Sequence, residues 1–127
     1  MGFTPQKTRR INPDDYILKI GKGDIVLSWS DLTVIATSSM VANSLDAAQI
    51  LKTKGISAEV INIATIKPID SDLILESSAK TGRVVTVEEH SIVNGLGSAV
   101  ANVLSTARPT LIKKIGINDV FAVVGEY

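Results

Sequence analysis

Apolar runs alternate with helical segments along most of this sequence, and this alternation limits the possible folds more than any other feature. A nearly continuous apolar run at residues 32–37 predicts a strand covered on both faces. Further strands are predicted at 57–63, at 83–88, which is also expected to be buried, and at 110–115. Segments with one apolar stripe predict helices between them, at residues 40–54, 71–80 and 95–107. Strands that alternate with such helices form a parallel sheet with helices on both faces, so the sequence predicts an α/β fold.

The ends of these elements carry recognisable signals. Ser38 and Ser39 follow the first of these strands, and either hydroxyl is expected to cap the next helix. Gly55 is expected to end that helix in a left-handed conformation. Asp70 is a good N-cap for the helix at 71–80. A further strand is expected near residues 24–28, and its closeness in sequence to 32–37 predicts that these two strands pair as a hairpin.

Length and composition exclude several classes of function. The 127 residues fit one domain, with residues 1–16 as a tail or inter-domain linker and 17–127 as the folded part. Lys plus Arg and Asp plus Glu both total 13, so the neutral chain has no charge excess for nucleic acid or an anionic membrane. The absence of cysteine excludes thiol catalysis and Cys-based zinc sites. Without an apolar signal segment, the cytoplasm is the expected compartment.

The densest cluster of chemically active side chains lies in the segment after the strand at 83–88. Glu88 and Glu89 precede His90, the only histidine, and a carboxylate beside an imidazole can transfer protons. Adjacent residues of an extended chain point in opposite directions, however, so the two carboxylates cannot form a facing pair. We therefore favour a structural or interface role for these three residues, with His90 at a seam between domains.

Asn94, Gly95 and Gly97 open the helix that follows, and the start of a helix can hold a phosphate. The dinucleotide-binding fingerprint needs a third glycine where this chain has Val100. The alternative is that these glycines let the turn bend sharply and the helix pack close to the sheet. A small anion at this helix start and at Ser38 and Ser39 remains an open possibility.

Three segments, taken in order, resemble the C-terminal domain of transketolases. They are SDLTVIATSSMVANSLDAAQILKTKGISAEVINIATIKPID, GRVVTVEEHSIVNGLGSAVANVLS and IKKIGINDVFAVVGEY. The resemblance extends over about residues 14–127, and deoxyxylulose phosphate synthase and the β subunit of 2-oxo acid dehydrogenases share this domain. Glu89 and His90, followed by Gly95 and Gly97, resemble transketolase or the synthase most closely.

The resemblance implies a three-layer α/β/α sandwich with a mixed five-stranded sheet. Its strand order is 1-3-2-4-5, and the first strand is antiparallel to the others. This order would place Ser38 and Ser39 beside the segment 88–97. Family members commonly continue past residues 125–126 into another helix, so the chain is expected to be an excised or truncated domain.

The resemblance also implies a function. The family moves a two-carbon ketol unit between sugar phosphates, using thiamine diphosphate and Mg²⁺ bound between a diphosphate-binding and a pyrimidine-binding domain. Neither domain is present in this sequence, so no catalytic, cofactor-binding or metal-binding residue carries over. The chain alone is expected to be inactive and to stabilise a homodimer or heteromer by contacting those two domains. The alternatives are the corresponding domain of the synthase or of a dehydrogenase β subunit, a partner for a carrier protein, or a stand-alone anion-binding module.

Overall fold

A five-stranded mixed sheet lies between helices in the computed structural model, which describes residues 9–121. The strands are β1 (Asp24–Leu27), β2 (Leu32–Ala36), β3 (Ala58–Asn62), β4 (Arg83–Ser91) and β5 (Leu111–Ile117). The helices are α1 (Met40–Thr53), α2 (Ser71–Thr81) and α3 (Leu96–Ala107). None of the helices that residues 9–121 form has the length and apolar character needed to span a bilayer.

The strand order is β1-β3-β2-β4-β5, with β1 antiparallel to β3 and the other neighbours parallel. This confirms the α/β/α sandwich and the order implied by the family resemblance. The prediction that β1 and β2 pair as a hairpin is wrong, because β2 pairs with β3 on one side and with β4 on the other. Both edges of this central strand are therefore already occupied.

The apolar runs fill two cores because successive strand residues face opposite sides of the sheet. One core lies between the sheet and α1, and its buried members are Val34, Ala36, Val41, Ala48, Ala58 and Val60. The other core lies under α2 and α3, and its buried members are Ile35, Ile61, Ile63, Ile74, Val84, Leu96, Val100 and Leu104. Each large side chain buried in this way contributes roughly 1.5–3 kcal/mol, which fixes the sheet between its helices.

The predicted helix ends are confirmed at two positions and wrong at a third. Asp70 caps α2 by accepting a hydrogen bond from the backbone N–H of Leu73 at 3.3 Å. Gly55 follows α1 with φ +80°, as a left-handed residue. Ser39 occupies the N-cap position of α1, but its hydroxyl makes no capping bond and donates instead to Glu89. The hydroxyl of Ser39 is therefore bonded to this carboxylate and not to a backbone N–H of α1. Neither Ser39 nor Ser38 caps the helix.

Strand β4 is longer than the sequence predicts, since it continues to Ser91 rather than ending at 88. The reason is its neighbour β5, which extends to Ile117 and pairs with Ser91 after an irregularity in the register. The backbone N–H of Ile92 also donates to the carbonyl of Ile117 at 2.9 Å. Glu88, Glu89 and His90 therefore lie on the end of a strand and not in a loop.

Residues 9–16, here called the arm, make specific contacts with the rest of the domain. Nη1 of Arg9 donates to both carboxylate oxygens of Asp46 at 2.8 and 3.1 Å. Ile11 packs against the α1 core, and the hydroxyl of Tyr16 donates to Asp24. Residues 1–8 of the predicted tail and the end of the chain from 122 lie outside the described residues. The domain boundary at residue 16 stays a prediction.

Candidate functional site

Glu88 joins the end of β4 to the start of α3. Its carboxylate is 3% exposed and accepts hydrogen bonds from the backbone N–H groups of Leu96 at 2.8 Å and Gly97 at 2.7 Å. A negative charge at the start of a helix is favourable because of the helix dipole. Glu88 thus caps α3, because Gly95 at the N-cap position has no side chain that could do so.

The two glycines at this junction allow the close approach. A Cβ atom on Gly95 would lie 1.8 Å from Oε1 of Glu88, and one on Gly97 would lie 2.8 Å from Oγ1 of Thr86. The packing interpretation of these glycines is therefore confirmed. Asn94 precedes them with φ +61°, and its N–H donates to the hydroxyl of Ser98 at 3.0 Å. An anion at the start of α3 would have to displace Glu88, which argues against the phosphate-loop hypothesis.

Glu89 and His90 have partners different from those of the Glu88 carboxylate. Glu89 accepts a hydrogen bond from the hydroxyl of Ser39, which ties the end of β4 to the start of α1. The His90 ring is exposed, with Nδ1 2.9 Å from the carbonyl oxygen of Ser91 and 3.8 Å from Oε1 of Glu88. The two adjacent carboxylates face different partners, as the strand geometry predicts. The structure thus brings Ser39 against the 88–97 segment, while Ser38 stands next to it with φ +55°.

A cavity lies beside Ser38 and Ser39, the two serines that the sequence offered as a possible anion site. It has a volume of about 710 Å³ and lies between the arm, the start of α1 and the end of β3. Arg9 and Arg10 line it, together with Asn62 at the end of β3. The sequence did not predict Asn62 as a site residue, although its position at the carboxyl edge of the sheet, where ligands of α/β proteins bind, could have indicated it. The two arginines lie in the segment that was predicted to be a tail or linker.

The strand order and the carboxylate-capped junction define an α/β/α domain in which α3 is anchored to the end of β4. The chain matches the family model for the transketolase C-terminal domain over residues 21–126. It belongs to this family, which confirms the resemblance seen in the sequence.

Relatives in the family carry related descriptions. A protein of Methanocaldococcus jannaschii, described as a transketolase C-terminal section, is 48% identical over 116 residues, which are 91% of this chain and 36% of that protein. The 6-deoxy-6-sulfo-D-fructose transketolase subunit SqwH of a Clostridium species is 41% identical over the same shares. The 1-deoxy-D-xylulose-5-phosphate synthase of Trichormus variabilis is 46% identical over 81% of this chain and 16% of its own. The chain therefore spans about a third or less of these relatives.

Solved structures show the same fold. A split-gene transketolase, described as inactive and as a tetramer of four β subunits, superposes with a TM-score of 0.89. It is 43% identical over 91% of this chain and 39% of its own. A transketolase from Pichia stipitis superposes with a TM-score of 0.54 at 17% identity, covering 76% of this chain and 13% of its own. This second likeness shows the fold alone.

Proposed function

We propose that this chain is the non-catalytic C-terminal section of a transketolase-type enzyme, which transfers a two-carbon ketol unit between sugar phosphates. The observation that carries the proposal is the 0.89 TM-score with the split-gene transketolase over 91% of the chain. The relatives described as transketolase sections or subunits support it. In this proposal the domain acts as a scaffold, in an enzyme whose other domains bind the cofactor and substrates.

The contacts of the chemically active residues support a scaffold role. Both carboxylate oxygens of Glu88 accept hydrogen bonds from the start of α3, and Glu89 accepts a hydrogen bond from the hydroxyl of Ser39. His90 lies against the carbonyl of Ser91. These are bonds that shape the junctions between strands and helices, and a proton transfer by Glu88 would break the cap of α3.

The cofactor of such an enzyme is thiamine diphosphate with Mg²⁺, and it would need acidic ligands for the metal. In the part of the chain from residue 9 to 121, no three His, Asp or Glu side chains come together as a metal site. The family membership of the chain supports a place for the cofactor on the diphosphate- and pyrimidine-binding domains of the enzyme.

Strand β5 offers a surface for those domains. It lies at the edge of the sheet, and its exposed face carries Leu111, Ile115 and Ile117, which are 80%, 50% and 48% exposed, together with Lys113. Ile112 points to the other side, where it packs against the α3 core. Several exposed apolar side chains on one strand face are typical of a protein–protein contact. We propose that a companion domain covers this β5 face.

The test combines this chain with a polypeptide that carries the other two domains. The chain alone is expected to show no ketol transfer and no change of melting temperature with thiamine diphosphate and Mg²⁺. The two together are expected to transfer ketol units from xylulose 5-phosphate to ribose 5-phosphate. Activity of the chain alone, or a Mg²⁺-dependent rise of its melting temperature with the cofactor, would overturn the proposal.

A pair of variants tests the β5 face. Ile115→Lys is expected to weaken capture by the companion polypeptide at least tenfold, because a charge would enter an apolar contact. Ile50→Lys is the matched control, since Ile50 lies on α1 and is 60% exposed. Equal capture by both variants would show that the companion binds elsewhere. The synthase alternative, supported by the 46% identity to that enzyme, is distinguished by condensation of pyruvate with glyceraldehyde 3-phosphate.

A further inference from the structure

Large aliphatic side chains are exposed on two neighbouring segments of the domain. Ile17, Leu18 and Ile20 precede β1 and are 77%, 55% and 79% exposed. Ile66 lies in the connection between β3 and α2 and is 42% exposed. A single exposed aliphatic residue is common, but several on one part of the surface mark a contact with another molecule.

The backbone holds these two segments together. The N–H of Gly21 donates to the hydroxyl of Thr65 at 3.2 Å, and the N–H of Gly23 donates to the carboxylate of Asp70 at 3.0 Å. Gly21 directly follows the first segment and Thr65 directly precedes Ile66, so the exposed side chains lie on neighbouring parts of the surface. Their backbone is already fixed by these bonds, which lowers the entropy cost of binding a partner.

Lysines accompany the aliphatic side chains in both segments. Lys19, Lys22 and Lys67 are exposed, and none of them forms an ion pair with any residue from 9 to 121. No acidic residue occurs at positions 17–23 or 64–69. The surface formed by the two segments is here called the corner patch, and it consists of Ile17, Leu18, Lys19, Ile20, Lys22, Ile66 and Lys67.

The carboxylates nearest in sequence to the corner patch do not neutralise its lysines. Asp24 accepts a hydrogen bond from the hydroxyl of Tyr16, and Asp70 accepts hydrogen bonds from two backbone N–H groups. Asp15 and Asp72 are exposed and form no ion pair with the three lysines. The corner patch is therefore a locally basic surface on a chain whose net charge is zero.

The charge of the corner patch distinguishes between the molecules that could cover its aliphatic side chains. In a two-fold contact with the same patch of a second copy, lysines would face lysines, which is unfavourable. Basic segments that bind anionic membranes contain clusters of about four to eight Lys or Arg residues, more than this patch has. A protein surface with carboxylates around an apolar centre would complement both the lysines and the aliphatic side chains.

The position of the corner patch points to the companion polypeptide as that protein. The match to the transketolase C-terminal domain begins at residue 21, so residues 17–20 lie just before the matched domain. The other domains of an enzyme precede its C-terminal domain and adjoin it at this end. The β5 face lies at the opposite edge of the sheet from β1, so the corner patch would be a second, separate contact.

We propose that the corner patch docks a carboxylate-rimmed apolar surface of the companion polypeptide, and that its three lysines accelerate the association. This docking site rests on the proposed function and adds to it the place and the chemistry of a second contact. Complementary charges at an interface act mainly on the association rate, whereas packed apolar side chains act mainly on the dissociation rate. The lysines and the isoleucines of the corner patch thus have separable effects.

The test measures binding kinetics between the full chain and the companion polypeptide, alongside ketol transfer by the pair. The triple variant Lys19→Gln, Lys22→Gln and Lys67→Gln is expected to lower the association rate constant about tenfold or more at about 0.01 M salt. The loss should shrink at about 0.1 M salt, because the screening length falls from about 30 Å to about 10 Å. Ile20→Ser should instead raise the dissociation rate constant about tenfold.

The matched control for the lysines is a second triple variant, which removes the same number of positive charges from exposed residues at the other end of the parallel strands. It combines Lys54→Gln, Arg83→Gln and Arg108→Gln. Ile50→Ser is the control for Ile20→Ser, since Ile50 is 60% exposed on α1. All the replaced residues are exposed, so every variant is expected to fold, and its melting temperature checks this.

The outcomes separate the docking site from the proposed function. Equal slowing by the two triple variants would show a general charge effect and would overturn the docking site. Unchanged kinetics in the corner-patch variants, with normal ketol transfer, would overturn the docking site alone. The same kinetics together with lysine-dependent binding of the chain to phosphatidylserine vesicles would assign the patch to a membrane instead. Absence of both binding and ketol transfer with the unchanged chain would overturn the proposed function and the docking site together.

Discussion

The Cβ position of Gly95 lies 1.8 Å from Oε1 of Glu88, so any side chain at residue 95 would displace the carboxylate that caps α3. Glu88 is fixed in turn by the backbone N–H groups of Leu96 and Gly97. Strand β4, the turn and α3 therefore hold each other in place. The segment 88–97, although rich in chemically active residues, therefore has a structural role in the domain.

Gly95→Ala tests this relationship. The added methyl group should push Glu88 away and leave buried polar groups without partners, with a loss of about 3 kcal/mol in the free energy of unfolding. Gly82→Ala is the matched control, since Gly82 has φ +71° and no atom within 4 Å of its Cβ position. Its cost should be only about 1–2 kcal/mol of backbone strain. Urea denaturation of both variants measures the difference, and equal losses would contradict the tight junction.

Most of the fold could be predicted from the residues because its signals are local. The apolar runs of β2 and β3 are long enough to indicate strands buried on both faces, and Asp70 and Gly55 mark helix ends through their own conformations. The pairing of β1 could not be predicted from the residues alone, because it depends on which neighbour already occupies the edge of β2. The family resemblance provided that information.

The site could be predicted only in part. The strand order implied by the family resemblance placed Ser38 and Ser39 beside residues 88–97, and the strand geometry separated Glu88 from Glu89. The sequence could not show that Glu88 folds back onto residues 96–97, because this contact requires β4 to continue to Ser91 beside β5. Ser38 and Ser39 line the cavity beside Asn62, but the sequence could not show that the arm forms its other wall, because the position of the arm depends on the bond between Arg9 and Asp46.

Glu59 and Lys80 form an ion pair beneath α2. The Glu59 side chain is fully buried, while that of Lys80 is 39% exposed, and Oε1 of Glu59 has no hydrogen-bond partner among the described residues. Removing the ammonium would leave a buried charge alone, which usually costs about 3–5 kcal/mol. Because Lys80 is partly in water, we expect Lys80→Met to destabilise the domain by about 2 kcal/mol.

The second variant of this pair is the double change Glu59→Gln with Lys80→Met. It removes both charges, so it should recover part of the stability lost by Lys80→Met alone. A double-mutant cycle in urea, completed by Glu59→Gln, measures the coupling. Additive losses would show that the pair contributes no coupling energy.

His90 is predicted to lie at a seam between domains in the assembled enzyme. Its side chain is 65% exposed on the described domain, with Nδ1 2.9 Å from the carbonyl oxygen of Ser91 and 3.8 Å from Oε1 of Glu88. His90→Ala should therefore change the melting temperature of this chain by less than about 2 °C, because exposed substitutions usually have small effects. In the assembled enzyme the same change should weaken capture of the companion polypeptide. Loss of folding in the chain alone would instead show that His90 is needed by the domain itself.

Tyr16 and Asp24 join the arm to β1. The hydroxyl of Tyr16 donates to the Asp24 carboxylate, and this hydrogen bond, with smaller effects of burial and of the negative charge, raises the pKa of Tyr16 above its usual value of about 10. A raised pKa means that folding favours the neutral phenol. The contribution is thus fully present below about pH 10 and is lost as the pH rises through the raised pKa.

An alkaline titration of tyrosinate absorbance checks this contact. Tyr127→Phe removes the other tyrosine of the chain, so the signal reports Tyr16 alone. In this background Tyr16 should titrate at higher pH than a free tyrosine, and the further change Asp24→Asn should lower its pKa toward the usual value. Proteolysis within the arm should accelerate over the same pH interval, as the bond to Asp24 is lost. A pKa that stays the same after Asp24→Asn would show that the arm is held by Arg9 and Ile11 without help from Tyr16.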